Sequence, residues 1–536
     1  MLLSVLGCSG PTTVVNNTPV PTSTPTLVPV PTNTPTPNPP PEGVLRVAMN
    51  GTQSYLDVQR SISEWSTLFG PGIAYNRLLR FISGPDVVLP SMQTECDLCT
   101  KWEYLEPNTY VFHLNKNARW HDVGIIAGRP LDSEDVVLSL NRLMYMSSPN
   151  SDLLNSVESI KAVDKTTVEI KVHYKDADFL QKLANPHAII LPKNVAQENE
   201  FILDPIIGTG PWTIKRLRSG QMNFDVASGY HRGVAPSVSQ LIMTPVGDYG
   251  AGAGAMLGGD IDVAQIDEEW WLVLQEAEFQ SLLIPRQGIG TLLGINTEKP
   301  PFGLPDNRRA VFWGLSPEND RNQIWGETAY SAVGLPVVHA DWLLQKNDFA
   351  QHFDKGAKAR LIVASLDDFQ RKITLTVANF GDKYTAYGDI VASHLEKIGF
   401  EVEIESISRA QYLDKVWSKR DFQIFIGPLP PTNTTNDFLV SLLHSQGQWN
   451  ITGFQNSKLD TLIENQSVEI DVLRRGQMLR QVQEEILASA LFFMPAITIE
   501  RWAFNERVKG FHPNLASGQG SFWESVSVVP NLANDR

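Results

Sequence analysis

The sequence predicts an α/β protein built on a mostly parallel sheet covered by helices, with mixed insertions. The clearest sign is an alternation late in the chain. Ile373–Ala378, Val402–Ile407 and Phe422–Ile426 read as strands, and Tyr387–Ile398 and Arg409–Trp417 between them read as helices. A β-α-β-α-β order joins parallel strands by crossovers that lay helices on the sheet faces. Length is the second sign, because 536 residues exceed what one hydrophobic core fills and predict roughly two to four domains. Composition is the third: 42% apolar and 19% charged residues are the proportions of a soluble globular chain.

From the start of the chain, Leu3-Ser4-Val5-Leu6-Gly7-Cys8 reads as the end of a secretory signal that stops at a lipidation cysteine. No Lys or Arg precedes Cys8, so the signal is expected to extend further upstream. Residues Pro11 to Pro41 hold 11 prolines, 9 threonines and no charge, so they cannot bury enough apolar surface to fold. As polyproline II they form a semi-rigid spacer reaching at most about 100 Å. Gly43 to Met49 alternates as a first strand, and Trp65 to Arg80 reads as a helix. Thr109–Leu114 and Thr166–His173 read as strands. Leu131-Asp132-Ser133-Glu134-Asp135 opens a helix, with a polar cap and an acidic first turn ahead of Val136, Val137, Leu140, Leu143 and Met144. Thr209 to Asp225 reads as a hairpin turning near Ser219-Gly220. Leu473, Leu479, Val482, Ile486 and Ala490 mark a long amphipathic helix.

A formal charge of −15 argues against nucleic acid or anionic lipid as the main partner, and no apolar run reaches the length of a membrane span. Beyond Cys8 the only cysteines are Cys96 and Cys99. Zinc would need two further ligands, for which His113 and His121 are the nearby candidates. A thioredoxin-like pair would need a βαβ context. A local structural disulfide fits the extracytoplasmic setting best. The chain has no G-x-S-x-G, H-E-x-x-H or G-x-x-x-x-G-K-[ST] motif. Gly250-Ala251-Gly252-Ala253-Gly254 lacks dinucleotide-loop spacing and reads as a turn or small-residue helix. Glu268 and Glu269 beside Trp270 and Trp271 could suggest an acid pair with a sugar platform, but adjacent carboxylates on one helix point apart.

Several spaced segments carry a resemblance. Ile207-Gly208-Thr209-Gly210-Pro211-Trp212, then Tyr230-His231-Arg232-Gly233 and Pro236, resembles a "GTGPY … Y-W-G-G-x-P" run. Tyr110-Val111-Phe112-His113-Leu114, Trp120-His121-Asp122 and Leu131 to Val136 resemble a "tytF-x-L-R … W/F-H-D-G … L-t-A-e-D-V" signature. Gly294-Ile295-Asn296-Thr297, Pro300-Pro301-Phe302, Asp306-Asn307-Arg308-Arg309-Ala310, then Asn456, Leu459-Asp460 and Met494-Pro495 continue the match in order. Together, over Gly43 to Pro513, these segments resemble the extracellular solute-binding proteins of family 5, the oligopeptide- and dipeptide-type binding lipoproteins of ABC importers.

The resemblance implies a two-lobed periplasmic-binding-protein-like clamshell, type II, cluster C, with an extra subdomain in lobe I. The boundaries it implies are a signal remnant at 1–8 and a tether at 9–42. Lobe I follows at 43–80, with an inserted subdomain at 81–205, and resumes at 206–290. Lobe II spans 291–496, and the chain returns to lobe I at 497–536. The implied protein is no enzyme and needs no cofactor or metal. It is a lipid-anchored extracytoplasmic monomer that takes a peptide or other small polar solute by hinge closure and docks on ABC permease subunits. One segment departs from the family pattern. Where peptide binders carry a "G-W-x-x-D-x-x-D-P"-like loop whose acid pairs with a ligand ammonium, this chain has Phe425-Ile426-Gly427-Pro428-Leu429-Pro430-Pro431-Thr432-Asn433. Pro428 stands at the tryptophan and Pro431 at the acid, and Asp437 is expected to cap the next helix. A buried ammonium without a carboxylate is costly, so the ligand is expected to lack a free α-amine.

The expected ligand residues are Asn50 and Tyr55 after the first strand, Asn296 after the strand entering lobe II, and Gly427, Asn433 and Trp449 in the lobe II crevice. Arg409 and Arg420 are candidate anion partners. The competing readings are a tethered hydrolase acting through Glu268 or Glu269, and a ligand-binding sensor module not coupled to transport.

Overall fold

A computed structural model of the chain describes residues 42–529 apart from 52–55, 125, 127, 146–147, 199–204, 217–219, 233–235, 430–431 and 515–517. Cys8, the Pro/Thr tail, Tyr55 and Pro431 lie outside the described residues. The chain enters through β1 (Val44–Asn50), then a short antiparallel pair, β2 (Leu79–Phe81) and β3 (Thr94–Cys96). A separate antiparallel sheet follows, built from β4 (Cys99–Leu105), β5 (Thr109–Leu114), β6 (Val157–Asp164) and β7 (Thr167–Val172) in the order β4-β5-β7-β6. The helices Ser133–Leu143 and Phe179–Ala184 accompany it. The chain then forms β8 (Trp212–Arg216), β9 (Met222–Val226), β10 (Gln240–Val246) and β11 (Val263–Ile266). The long β12 (Gln280–Ile295) leads into β13 (Lys372–Ala378), β14 (Glu401–Ile407) and β15 (Ile424–Pro428), and β16 (Phe492–Phe504) runs back.

The main sheet has ten strands, β14-β13-β15-β12-β16-β11-β1-β10-β9-β8. Its two halves are the cores of two lobes, and only β12 and β16 run through both. In the first half they pair from Gln280↔Phe504 to Arg286↔Thr498, with β11 on the other side of β16. In the second half they pair from Gly290↔Ile497 to Gly294↔Phe492, with β15 on the other side of β12. The register shifts between Arg286 and Gly290, and Gly288 within the shift has φ +81°. A bulge with a left-handed glycine bends a strand pair locally, which makes this the hinge.

Strand direction then places the crevice. β1, β10 and β11 are parallel and end level with one another, with Asn50 opposite Val246 and Ala48 opposite Ala264. β13, β14 and β15 are parallel too, and β15 runs against β12 so that Pro428 lies opposite Thr291. Both sets of carboxyl ends therefore point at the hinge from opposite lobes. Ligand crevices of α/β sheets form outside such ends.

Several local expectations changed. The segment Trp65 to Arg80 is not one helix. It holds a short helix, Glu64–Leu68, a 3-10 turn, Pro71–Ala74, and β2. Gly70-Pro71-Gly72 breaks it, and a Cβ on Gly72 would lie 2.7 Å from the Thr67 Cα. The sheet is mixed rather than mostly parallel, because β16 runs against both neighbours and β8, β9 and β10 are antiparallel. Arg409 to Trp417 is α-helical only over Arg409–Tyr412 before widening. Asp437 does not cap its helix, Thr435–Leu442. The Thr434 side chain does, by accepting the Asp437 N–H.

The glycine motif has a packing cause. His121 accepts the Gly208 N–H at Nδ1 (3.2 Å) and lies 3.0 Å from the Gly210 carbonyl through Nε2, which fixes the ring as neutral with its proton on Nε2. Burial lowers the pKa of this imidazole against the opposing pull of the Gly210 carbonyl. The Gly210 N–H in turn donates to Ala74 O at 2.9 Å. Thr209 donates to Asn76, whose amide donates to Asp97 between the disulfide-bonded Cys96 and Cys99. A Cβ on Gly208 would lie 1.9 Å from Ala74 O. Gly208→Ala should therefore lower stability by about 1–3 kcal/mol, read as a reduced urea midpoint at unchanged slope.

Candidate functional site

Two cavities flank the hinge. The first, of about 200 Å³, is lined by Glu64, Asn185, His187 and Arg286 on the lobe I side and by Pro336, Thr432 and Asn433 on the lobe II side. The second, of about 300 Å³, is lined by Thr291, Phe380, Lys383, Tyr384, Ile497 and Arg501 among others.

The charges around the first cavity are compensated. Arg286 forms ion pairs with both Glu64 and Glu500, and Glu500 also accepts from Gln265 at 3.0 Å and from the Trp502 indole at 3.3 Å. Burial opposes charge on Arg286, but the two carboxylates outweigh it and raise its pKa. Burial raises the Glu500 carboxyl above the ordinary glutamate range even though Arg286 pulls it down. His187, bonded through Nδ1 to Val58 O at 2.8 Å, is lowered by burial. The groups left for a ligand here are neutral amides and hydroxyls.

The second cavity is richer in positive charge. It faces the start of the helix Asp382–Lys397, whose leading residue Gly381 has no side chain to cap the first N–H groups. Lys383 reaches Glu268 of lobe I at 2.8 Å, and Arg501 lies 3.8 Å from the same carboxylate. The Arg501 Nε is buried without a hydrogen-bond partner among the described residues. Arg409 lies 5.0 Å over the ring of Phe380, a wall of this cavity. Tyr384 stands beside Thr291 in the lining, and burial raises its pKa. A helix start with neighbouring cations suits a carboxylate or another anionic group.

The expected residues divide by their place on the strands. Asn50 ends β1 on the crevice side, its amide 3.5 Å from Gln265 O, and Asn433 lines the first cavity. Gly427 lies at the crevice end of β15, where it makes room for a neighbour: a Cβ there would meet the Tyr412 ring at 2.4 Å. Asn296 and Trp449 are elsewhere. Asn296 follows Ile295, which pairs with the opposite end of β15, about 13 Å from Thr291 along the strand. Buried there, it donates to Arg420 O and accepts the Glu298 N–H, both at 2.9 Å, so it closes a turn. Arg420 donates to Asn450 O beside Trp449, which puts Trp449 and Arg420 on that same far edge. Glu268 is held by Lys383, and Glu269 is exposed, so no carboxylate pair faces the cavities from this helix. Sequence reasoning missed Lys383, Arg501, Arg286 and Glu500. The available signal for the last three was a charge inside an apolar strand.

Such an arrangement defines a two-lobed binding protein with its solute crevice over a two-strand hinge. The model of the bacterial extracellular solute-binding proteins, family 5 Middle, matches residues 93–450. The chain belongs to this family, whose members bind solutes outside the cytoplasm rather than transform them. It is 24% identical over 467 residues to the probable D,D-dipeptide-binding periplasmic protein DdpA of Escherichia coli K12, covering 84% of this chain and 87% of that one. It is 22% identical over 441 residues to the dipeptide-binding protein of the same organism, covering 76% and 81%. Among solved structures, the unliganded open form of the murein tripeptide-binding protein MppA superposes with a TM-score of 0.78 at 17% identity, over 91% of this chain and 98% of that one.

Replacing Arg286 by Met should strand Glu500 as a buried charge and cost about 3–5 kcal/mol at pH 8. A carboxyl raised above its unfolded value is destabilising only while ionised, so the loss should shrink as pH falls through the raised pKa. Urea unfolding of wild type and variant at pH 8 and pH 5 checks both the loss and its sign.

Proposed function

We propose that this protein captures a peptide-like or other small polar solute between its lobes and delivers it to the permease of an ABC importer. The observation that carries the reading is the convergence of both sets of strand ends on one bulged, two-strand hinge. Closure about that hinge removes the solute from water and presents a closed form for docking. Relatives named for dipeptide, D,D-dipeptide and di/tripeptide binding support the peptide-like class. Lys383, Arg501 and the open helix start support an acidic group on a solute that occupies the second cavity. Among the described residues, the acids lining the cavities are Glu64, held by Arg286, and Asp382, exposed in the first helical turn. Neither is a buried unpaired carboxylate, which favours a solute without a free α-amine.

The same reading takes Cys8 as a lipid anchor and the Pro/Thr run as the leash of a monomeric carrier, raising its effective concentration beside the permease. Mass spectrometry of molecules retained after gentle purification should return a solute bearing an acidic group. Lys383→Gln and Arg501→Gln should each weaken its binding about tenfold or more in calorimetry, as expected for a hydrogen bond to a charged group. Unchanged affinity in both variants would remove the anion reading. Tight binding of any unmodified dipeptide or tripeptide from a mixed library would remove the amine reading.

A further inference from the structure

Besides the hinge strands, the lobes meet at several places, among them Met92 N–H to Val338 O at 3.1 Å, and two of these contacts differ sharply in character. One is the Lys383–Glu268 pair, 48% and 42% exposed. The other centres on Asp178, which precedes the helix Phe179–Ala184 in the inserted subdomain. Asp178 stands at that helix's N-cap, yet its side chain makes no bond to that helix. Instead it turns to lobe II, where it accepts from Arg475 Nη2 at 2.6 Å and from the Asn436 N–H at 2.7 Å. It therefore helps to cap the start of the lobe II helix Thr435–Leu442. Arg475 also donates to Ala177 O at 3.0 Å, and the Ala177 N–H donates to Ser467 O at 2.9 Å. The pair is buried, with 1% of Asp178 and 3% of Arg475 exposed. Burial would raise the Asp178 carboxyl, but Arg475 and Asn436 outweigh it and hold it below the ordinary aspartate range.

The apolar surroundings differ in the same sense. Subdomain residues such as Tyr110, Phe179 and Leu183 belong to one continuous core with the lobe II residues Leu459, Ile463 and Leu479. The core behind Trp270 and Ala253, beside Glu268, is separate from it. Separating the Asp178 contact would expose apolar surface and a desolvated ion pair. Separating Lys383 from Glu268 exposes little that is not already wet.

From this we infer that the Asp178–Arg475–Asn436 cluster is a non-covalent pivot, a buried connection between the lobes in addition to the hinge strands. They turn about it and the hinge strands while the crevice opens on the Lys383–Glu268 side. The inference rests on the reading of capture by closure. Because the loop to Asn433 runs directly into the helix that Asp178 caps, the pivot also positions that wall of the first cavity.

The test is electron–electron distance measurement between spin labels at Gln275→Cys and Lys397→Cys, both exposed, in the full chain carrying Cys8→Ser. The unlabelled scaffold should sample more than one interlobe distance. Asp178→Asn and Arg475→Gln should broaden or shift that distribution, changing the ratio of its populations about tenfold or more, as loss of a buried pair implies. A second construction guards against misfolding of these variants. Ala177→Cys with Ser467→Cys, oxidised before labelling, should cross-link and leave the distance distribution as it was. A cross-link that collapses the distribution to one distance overturns the pivot, since the contact would then break in every cycle. Failure to cross-link in folded protein overturns it as well. So does a distribution that Asp178→Asn and Arg475→Gln leave unchanged while the scaffold still moves. A scaffold with one narrow distance that no variant alters overturns both the pivot and the closure reading, which separates that failure from the others.

Discussion

Everything in this molecule depends on the pairing of β12 with β16. Among the described residues it is the only stretch of main sheet shared by both lobes, so its ladder sets where one lobe stands against the other. A continuous antiparallel pair would be stiff. The register break between Arg286 and Gly290 supplies the compliance, and it does so where few alternatives fit. A Cβ on Gly290 would meet Ala496 O at 2.4 Å, and one on Gly288 would meet Pro336 at 2.8 Å. The hinge is therefore a point of close backbone approach as well as one of bending. Its lobe I side is fixed by Arg286 lying between Glu64 and Glu500, so bending is confined to the few residues beyond.

The same constraint explains why charge is handled so differently on the two sides of the hinge. The first cavity is walled by a strand ladder, and a charge there is desolvated before any ligand arrives. Arg286 is tolerated because two carboxylates face it, and Glu500 because Arg286, Gln265 and Trp502 do. What is left for recognition is neutral. The second cavity opens beside a helix start where the Lys383 side chain is about half exposed, so it can stay charged at the surface. Arg286 and Arg501 stand on opposite faces of the β12–β16 ladder, so the cavities are separate surroundings, one of neutral amides and hydroxyls and one of positive charge.

How far the sequence revealed this depended on whether a feature was local. The alternation over residues 373–426, the capped helix after Asp132 and the hairpin around Gly220 are encoded by near neighbours, and they were legible. The glycines of the Gly208-Thr209-Gly210 run could be seen, but not why they are there. Their cause is the backbone of Ala74, more than a hundred residues away. Asn296 was misplaced for a related reason. "After a strand" marks a crevice only for strands running toward the hinge, and β12 runs through it and away. Direction within a sheet is a property of pairing, which no single segment carries. Lys383 and Arg501 belong to one site only because β16 returns through the hinge beside β12. In the sequence Arg501 shows only as a charge inside an apolar strand, with nothing to say which neighbour it faces.

A protein that binds by turning two lobes works only if the turn is nearly balanced in energy. A solute shifts the equilibrium by its differential affinity for the two arrangements and by nothing else. Extensive burial between the lobes would fix one arrangement beyond the reach of a small ligand, since moving a two-state ratio from 1:99 to 99:1 already needs about 5.5 kcal/mol. The distribution of contacts respects that limit. Deep burial is placed at one contact, Asp178 and Arg475. Elsewhere lies a half-exposed pair, Lys383 and Glu268, of the kind worth at most about 1 kcal/mol. Because Lys383 also lines the second cavity, an anionic solute there competes with Glu268 for the same ammonium. On the proposed reading, capture of an anionic solute would exchange one weak interlobe bond for a bond to cargo, keeping the cost of closure within what a small molecule can supply.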